Sequence, residues 1–156
     1  MARWSCEPPT RFSSRPEEKP TVSADSRDSI LIVDDEPAIA RALKRMLKDW
    51  PSVVVCTDAA MALTLLRAGT RFGAIVCDMH MPGMSGEEFY LKVREEFGGL
   101  ERRIIFMTGG VSTDDATAFL AGVENTCVSK PISRSTLEHA VRRICSSVSA
   151  DGASLS

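Results

Sequence analysis

From Ser29 onward the chain alternates short apolar runs with longer amphipathic ones. The apolar runs, at 30–33, 53–56, 74–77, 104–107 and, shorter and weaker, 126–129, are rich in β-branched residues and lack polar alternation. Such runs predict strands covered on both faces, as in a parallel sheet. Between them the spacing changes to that of helices. Pro37 opens helix 1, whose Ile39, Leu43, Met46 and Leu47 form an apolar stripe up to Trp50-Pro51. Helix 2 starts after Thr57 or Asp58 and carries Met61, Leu63, Leu65 and Leu66 before Gly69. Ser85 with Glu88 three residues on forms a capping box for helix 3, which carries Phe89, Leu91, Val93 and Phe97 and stops at Gly98-Gly99. A flexible Gly109-Gly110 step leads to a short helix 4, about 113–121, with Ser112 and Asp115 as its cap. Helix 5 runs from 133 to about 146 with Leu137, Val141 and Ile144 facing inward. Five β-α repeats with right-handed crossovers predict a doubly wound α/β sheet, a flavodoxin-like (βα)5 fold with strand order 2-1-3-4-5.

Outside 29–146 the pattern lapses. Residues 1–28 hold Pro8, Pro9, Pro16 and Pro20, many serines and charges of both signs without apolar periodicity, which predicts a disordered N-terminal tail. Residues 147–156 are small and polar, a flexible C-terminal tail. The 156 residues and 44% apolar content therefore point to one ordinary domain with tails, and no output domain fits after helix 5. A net charge of −2, with no basic block, gives no reason to expect nucleic acid. No apolar run approaches the roughly 18 to 20 residues of a membrane span, so the expectation is a soluble, cytoplasmic protein. Cys6, Cys56, Cys77, Cys127 and Cys145 are odd in number and lack paired metal-ligand spacing; with Cys56, Cys77 and Cys127 in or beside predicted strands, reduced core thiols are expected.

The chemistry sits at the ends of the apolar runs, where doubly wound sheets bind their ligands. Asp34 and Asp35 follow strand 1, Asp78 follows strand 3, Thr108 follows strand 4 and Lys130 follows strand 5. In order 2-1-3-4-5 strands 1, 3 and 4 are adjacent, so the three carboxylates share one pocket. Crowded like charges are tolerable mainly around a cation, and a few carboxylates completed by water match Mg²⁺. Asp78 is placed to act as a carboxylate nucleophile toward a phosphoryl group. Thr108 can donate its hydroxyl to one phosphoryl oxygen and Lys130 can neutralise another.

Taken together, Asp34-Asp35, Asp78 in Asp-Met-His-Met-Pro-Gly-Met-Ser-Gly, Thr108-Gly109 and Lys130-Pro131 closely resemble the receiver domain of two-component response regulators over about 29–146. The resemblance implies a phosphoacceptor Asp78, supplied by a sensor histidine kinase, a phosphotransfer protein or a small acyl phosphate, in a Mg²⁺-dependent reaction. It also implies metal contacts from Asp35, Asp78 and the backbone carbonyl of His80, with Asp34 acting through water, and a cis Lys130-Pro131 bond. The run Phe106-Met107-Thr108-Gly109-Gly110 with Phe119-Leu120-Ala121 is similar to receivers at the C-termini of hybrid histidine kinases. The function so implied is a phosphorelay module, not an enzyme acting on other substrates, whose output is contact with a downstream protein effector.

Other assignments stand beside these. Asp34, Asp35 and Glu36 could serve only a helix N-terminus, and Lys130-Pro131 only a turn. The His80 side chain, with no second histidine near it, reads as a loop residue bordering the pocket, and His139 as part of a solvated helix face. Gly109-Gly110 lacks the Gly-x-x-x-x-Gly-Lys of a phosphate loop. A haloacid-dehalogenase-like phosphatase would need an acid two positions after Asp78, where this chain has His80. A pseudo-receiver that binds partners without phosphate usually lacks an acid or the lysine, and here none is missing. One departure from the family is clear: the aromatic residue usual three positions before the lysine is Cys127.

Overall fold

The computed structural model describes residues 28–109 and 113–155, with side chains to 147. The N-terminal tail with Cys6, and Gly110 and Ser112 of the expected helix 4 approach, lie outside the described residues. The strands are β1 (Ser29–Val33), β2 (Ser52–Cys56), β3 (Ala74–Asp78), β4 (Ile104–Thr108) and β5 (Cys127–Ser129). The helices are α1 (Pro37–Met46), α2 (Ala59–Arg67), α3 (Gly86–Glu96), α4 (Asp114–Ala121) and α5 (Arg134–Leu155). All strand pairings are parallel and the order is β2-β1-β3-β4-β5.

Two apolar cores follow from the alternation of side chains across the sheet. Leu31, Val33, Ile75, Cys77, Ile104 and Phe106 face α2, α3 and Ala116 of α4. Ile30, Ile32, Val76, Ile105, Met107 and Val128 face α1 and α5, whose Ala40, Leu43, Leu137 and Val141 close the second layer. Every residue of β1 and β3 is buried, so the central strands carry continuous apolar runs. The outer strands are less enclosed: Val53, Val54 and Val55 of β2 are half-buried, and in β5 only Val128 is buried.

Several local expectations are refined. Asp78 and Thr108 are the last residues of β3 and β4 rather than the first beyond them. Helix 4 is capped by Thr113, whose Oγ1 accepts from the Ala116 N–H at 3.1 Å. Met61 and Leu91 are exposed, because α2 buries Ala59, Ala62, Leu63 and Leu66 and α3 buries Phe89, Tyr90 and Val93. Each exposed residue lies off its helix's i, i+3, i+4 stripe. A 3-10 turn at Leu100–Arg103 intervenes before β4. Helix α5 continues to Leu155, past the end expected near 146, since no proline interrupts its Ser- and Ala-rich last turns.

Cys56 and Cys77 are buried, Cys145 is half-buried and Cys127 is exposed, which corrects the expectation of a core thiol at 127. All four are free thiols. Cys56 and Cys77 both pair in register with Val33 from opposite sides of β1, so two strand spacings separate them, roughly 10 Å, beyond disulfide reach. Burial, aided by Asp58, pushes the Cys56 thiol up to about 11.

Candidate functional site

Parallel strands end together, and here the ends of β1, β3, β4 and β5 converge on one acidic pocket. Asp34 is fully buried just beyond β1, Asp35 is half-buried beside it, and Asp78 is buried at the end of β3. One carboxylate oxygen from each lies within 4.8 Å of the others. Asp34 is fixed by its own turn, Oδ1 accepting from the Glu36 N–H at 2.9 Å. Asp78 is oriented by the following loop, where the His80 N–H donates to Oδ1 at 3.2 Å.

Lys130 reaches this pocket from the end of β5. Its Nζ lies 3.1 Å from Asp34 Oδ2 and 3.3 Å from Asp78 Oδ2, so one ammonium bridges two acids. Its backbone N–H donates to the Thr108 carbonyl at 2.7 Å, and the Lys130-Pro131 bond is cis. Burial disfavours the charge on Lys130, but the hydrogen bond it donates to Asp34 and the charges of Asp78 and Asp34 outweigh it and hold the amine above its ordinary value. For Asp78 burial is the largest influence and raises its carboxyl. The His80 N–H and Lys130 oppose that rise, and Asp34 adds to it.

Thr108 is half-buried at the end of β4, level with Ser129 of β5. The structure thus brings Asp34, Asp35, Asp78 and Lys130 together and sets Thr108 at the neighbouring strand end. The side chains of His80 and His139 are exposed. The acids and His80 suit a hard divalent cation in the nature of their donors, all oxygen if the His80 carbonyl takes part, with one lysine to set against three carboxylates.

The steric role of Gly86, the last residue of the run that begins at Asp78, was not drawn from the sequence. Gly86, the first residue of α3, packs so closely that a Cβ there would lie 2.8 Å from the Asp78 carbonyl oxygen and 2.9 Å from Met79 Cα. Its N–H donates to the Met79 carbonyl at 3.0 Å, closing the 79–86 loop beneath the carboxylate. A glycine just after the Ser85 cap, where a better helix former is expected, was the available signal.

A parallel α/β sheet with an acid pocket and a bridging lysine at its carboxyl edge places the chain among doubly wound domains whose candidate site lies at the strand ends. The family model of the response regulator receiver domain matches residues 30–142, and the chain belongs to that family. It is similar to the sensor histidine kinase AruS of Pseudomonas aeruginosa, 30% identical over 84% of this chain but only 13% of the kinase's length. It is also similar to the chemotaxis protein CheY of the same organism, 31% identical over 74% of this chain and 94% of that protein. Among solved structures, a response regulator receiver domain protein from Clostridium thermocellum superposes with a TM-score of 0.69 at 20% identity, covering 78% of this chain and 97% of that one. The flavodoxin-like fold and the place in two-component signalling are thereby established.

Proposed function

We propose that this receiver accepts a phosphoryl group on Asp78 from the phosphohistidine of a sensor histidine kinase or phosphotransfer protein, in a Mg²⁺-dependent reaction. The observation that carries this reading is the convergence of Asp34, Asp35 and Asp78 on one pocket bridged by Lys130 Nζ. An Asp78 carboxylate oxygen attacks phosphorus, the P–N bond breaks, and its electron pair returns to the imidazole. The donor is left as histidine and Asp78 as an acyl phosphate. With Oδ1 held by the His80 N–H, Oδ2 is the oxygen beside Lys130. Lys130 then offsets charge on the transferred oxygens, and the Thr108 hydroxyl donates to another of them. Asp34, Asp35, Asp78 and the His80 carbonyl would hold Mg²⁺, which supplies charge neutralisation at the phosphoryl group.

No chemistry on a separate substrate is assigned; water returns Asp78 to the free acid. Output is contact with a downstream protein effector, and the setting is the cytoplasm, where such kinases present their phosphohistidine. The alternative of a phosphate-independent pseudo-receiver is disfavoured because all three acids and the lysine are retained. The test is labelling by acetyl phosphate or a cognate kinase with Mg²⁺. The native chain should acquire an acid-stable, base-labile phosphoryl group, Asp78→Asn should acquire none, and Lys130→Ala should keep metal binding while losing efficient transfer. Undiminished labelling of a folded Asp78→Asn variant would overturn the assignment.

A further inference from the structure

The two outer strands of the sheet meet solvent differently. Strand β5 is three residues long and runs into Lys130-Pro131. A short edge closed by a lysine and a proline is a poor template for another strand. Strand β2 has no such guard: Ser52–Cys56 carries no charge and no proline and keeps an unbroken register with β1, Pro51 standing before the strand rather than in it. Its backbone is only half used. The Cys56 carbonyl accepts from the Asp34 N–H, so the polar groups of Ser52, Val54 and Cys56 face β1 while those of Val53 and Val55 face outward. Among the described residues no strand pairs with that outer side.

The side chains along this edge are apolar. Val54 stands on the α2 side of the sheet and Val53 and Val55 on the α1 side, all three half-buried. Arg67, paired with Glu96, marks the flank of α2 that faces α3. Leu65 lies about 200° from Arg67 around the helix, and Met61 about 40° from Leu65, so both occupy the opposite flank. Because α2 packs on β1 and β2, that flank is the one beside the β2 edge. Met61 is 49% exposed there.

We propose that the β2 edge is a self-association surface, on which a second copy of this chain pairs β2 antiparallel with β2 about a two-fold axis at Val54. The spacing of the outward groups selects this occupant. Residues on either side of Val54 are their own complement: Val53 of one copy exchanges both backbone bonds with Val55 of the other, and Val55 with Val53. The two Val54 residues meet as the non-hydrogen-bonded pair, with Cα atoms about 4.5 Å apart. The axis is perpendicular to the sheet, so both α2 helices lie on one side and bring Met61 and Leu65 of each copy over that pair. No charged side chain of 50–57 opposes the contact. An isologous contact closes on itself, which gives a dimer and not a fibre. A five-residue edge is small beside the roughly 1,200 Å² that stable interfaces bury, so the dimer is weak and depends on concentration. The two carboxyl edges point in opposite directions and both Asp78 pockets stay open, so pairing does not rest on the phosphoacceptor reading.

Sedimentation of the full chain from about 10 µM to about 1 mM, with amide hydrogen exchange at both ends of that range, tests this. Reducing buffer removes any disulfide through the exposed Cys127. The average mass should rise toward twice that of the chain and no further. Exchange at Val53 and Val55 should slow at least threefold at high concentration, while Val54, whose N–H faces β1, changes less. Val53→Pro, which deletes an outward N–H, should stay monomeric. Met61→Glu, a change at an exposed helix position that brings two acids together, should weaken the dimer at least fivefold and serves should Val53→Pro fail to fold. Leu91→Glu, on α3, should leave it unchanged. A monomer at the highest concentration, growth beyond a dimer, or an undiminished dimer in Met61→Glu would overturn the proposal. So would protection of Val53 and Val55 that is independent of concentration, since it would put a segment of the same chain on the edge.

Discussion

At Asp78 the setting of the proposed nucleophile also burdens the fold. Burial, reinforced by Asp34, lifts its carboxyl above the ordinary value of 3.8, despite the His80 N–H and Lys130. A folded-state pKa above the unfolded one gives stability that is complete below the unfolded value and lost as pH rises through the folded value. At pH 7 in chelator, ionised Asp78 therefore weighs against folding. Asp78→Asn should melt higher than the native chain there, since Lys130 keeps Asp34 as a partner 3.1 Å away. The gap should narrow as pH falls toward 3.8. Melts across pH 4 to 8 check this, and a variant that melts lower at pH 7 refutes it. Gly86 is a steric case at the same loop. The atoms a Cβ would strike belong to the Asp78 and Met79 backbone, not to a flexible side-chain end. Gly86→Ala should cost about 1–3 kcal/mol in urea unfolding despite alanine's better helix propensity, and should slow labelling of Asp78. Unchanged stability and labelling would show that the loop yields freely.

At the scale of elements, α3 shows what local signals determine. Ser85 Oγ accepts from the Glu88 N–H at 3.2 Å and the Glu88 carboxylate accepts from the Ser85 N–H at 2.9 Å, the reciprocal pair that the spacing implied. Ser85→Ala should therefore cost about 1 kcal/mol by chemical denaturation, and a cost near zero would mean that water replaces the cap fully. Strands, the α3 cap and the residues at strand ends were legible because each depends on a few neighbouring positions. Enclosure was not. The triplet of valines in β2 reads like a central strand, yet an outer position leaves it half-buried, and Cys127 is exposed because β5 is a three-residue edge strand. Leu91 shows a different limit: apolar character alone does not tell which face of α3 it occupies, and the 89, 90, 93 stripe passes it by. The pocket itself was readable from strand order. The tight seat of Gly86 and the mutual contact of the Tyr90, Phe106 and Phe119 rings were not, since both join segments whose contact no short pattern encodes.

For the molecule as a whole, the balance of charge at the carboxyl edge of the sheet decides how folding and ligand are coupled. Three carboxylates, two of them buried, face a single ammonium among the described residues, and the strands beneath them form the most enclosed part of the fold. In the unfolded chain Asp34 and Asp78 are separated by 44 positions of sequence, and no comparable site forms. A divalent cation should therefore bind the folded state selectively and stabilise it by about 2.7 kcal/mol at 100 times its dissociation constant. For a chain of this size that is a rise in Tm of roughly 5 to 10 °C. Screening cannot mimic it, because sodium chloride at matched ionic strength acts weakly on buried charges. Thermal melts in chelator, in Mg²⁺ and in matched sodium chloride separate the two effects. The rise should appear with Mg²⁺ alone and disappear in Asp35→Asn, which removes one carboxylate while leaving the Lys130 bridge intact. Coincident melts in all three buffers, with no Mg²⁺ binding by titration, would refute the coupling.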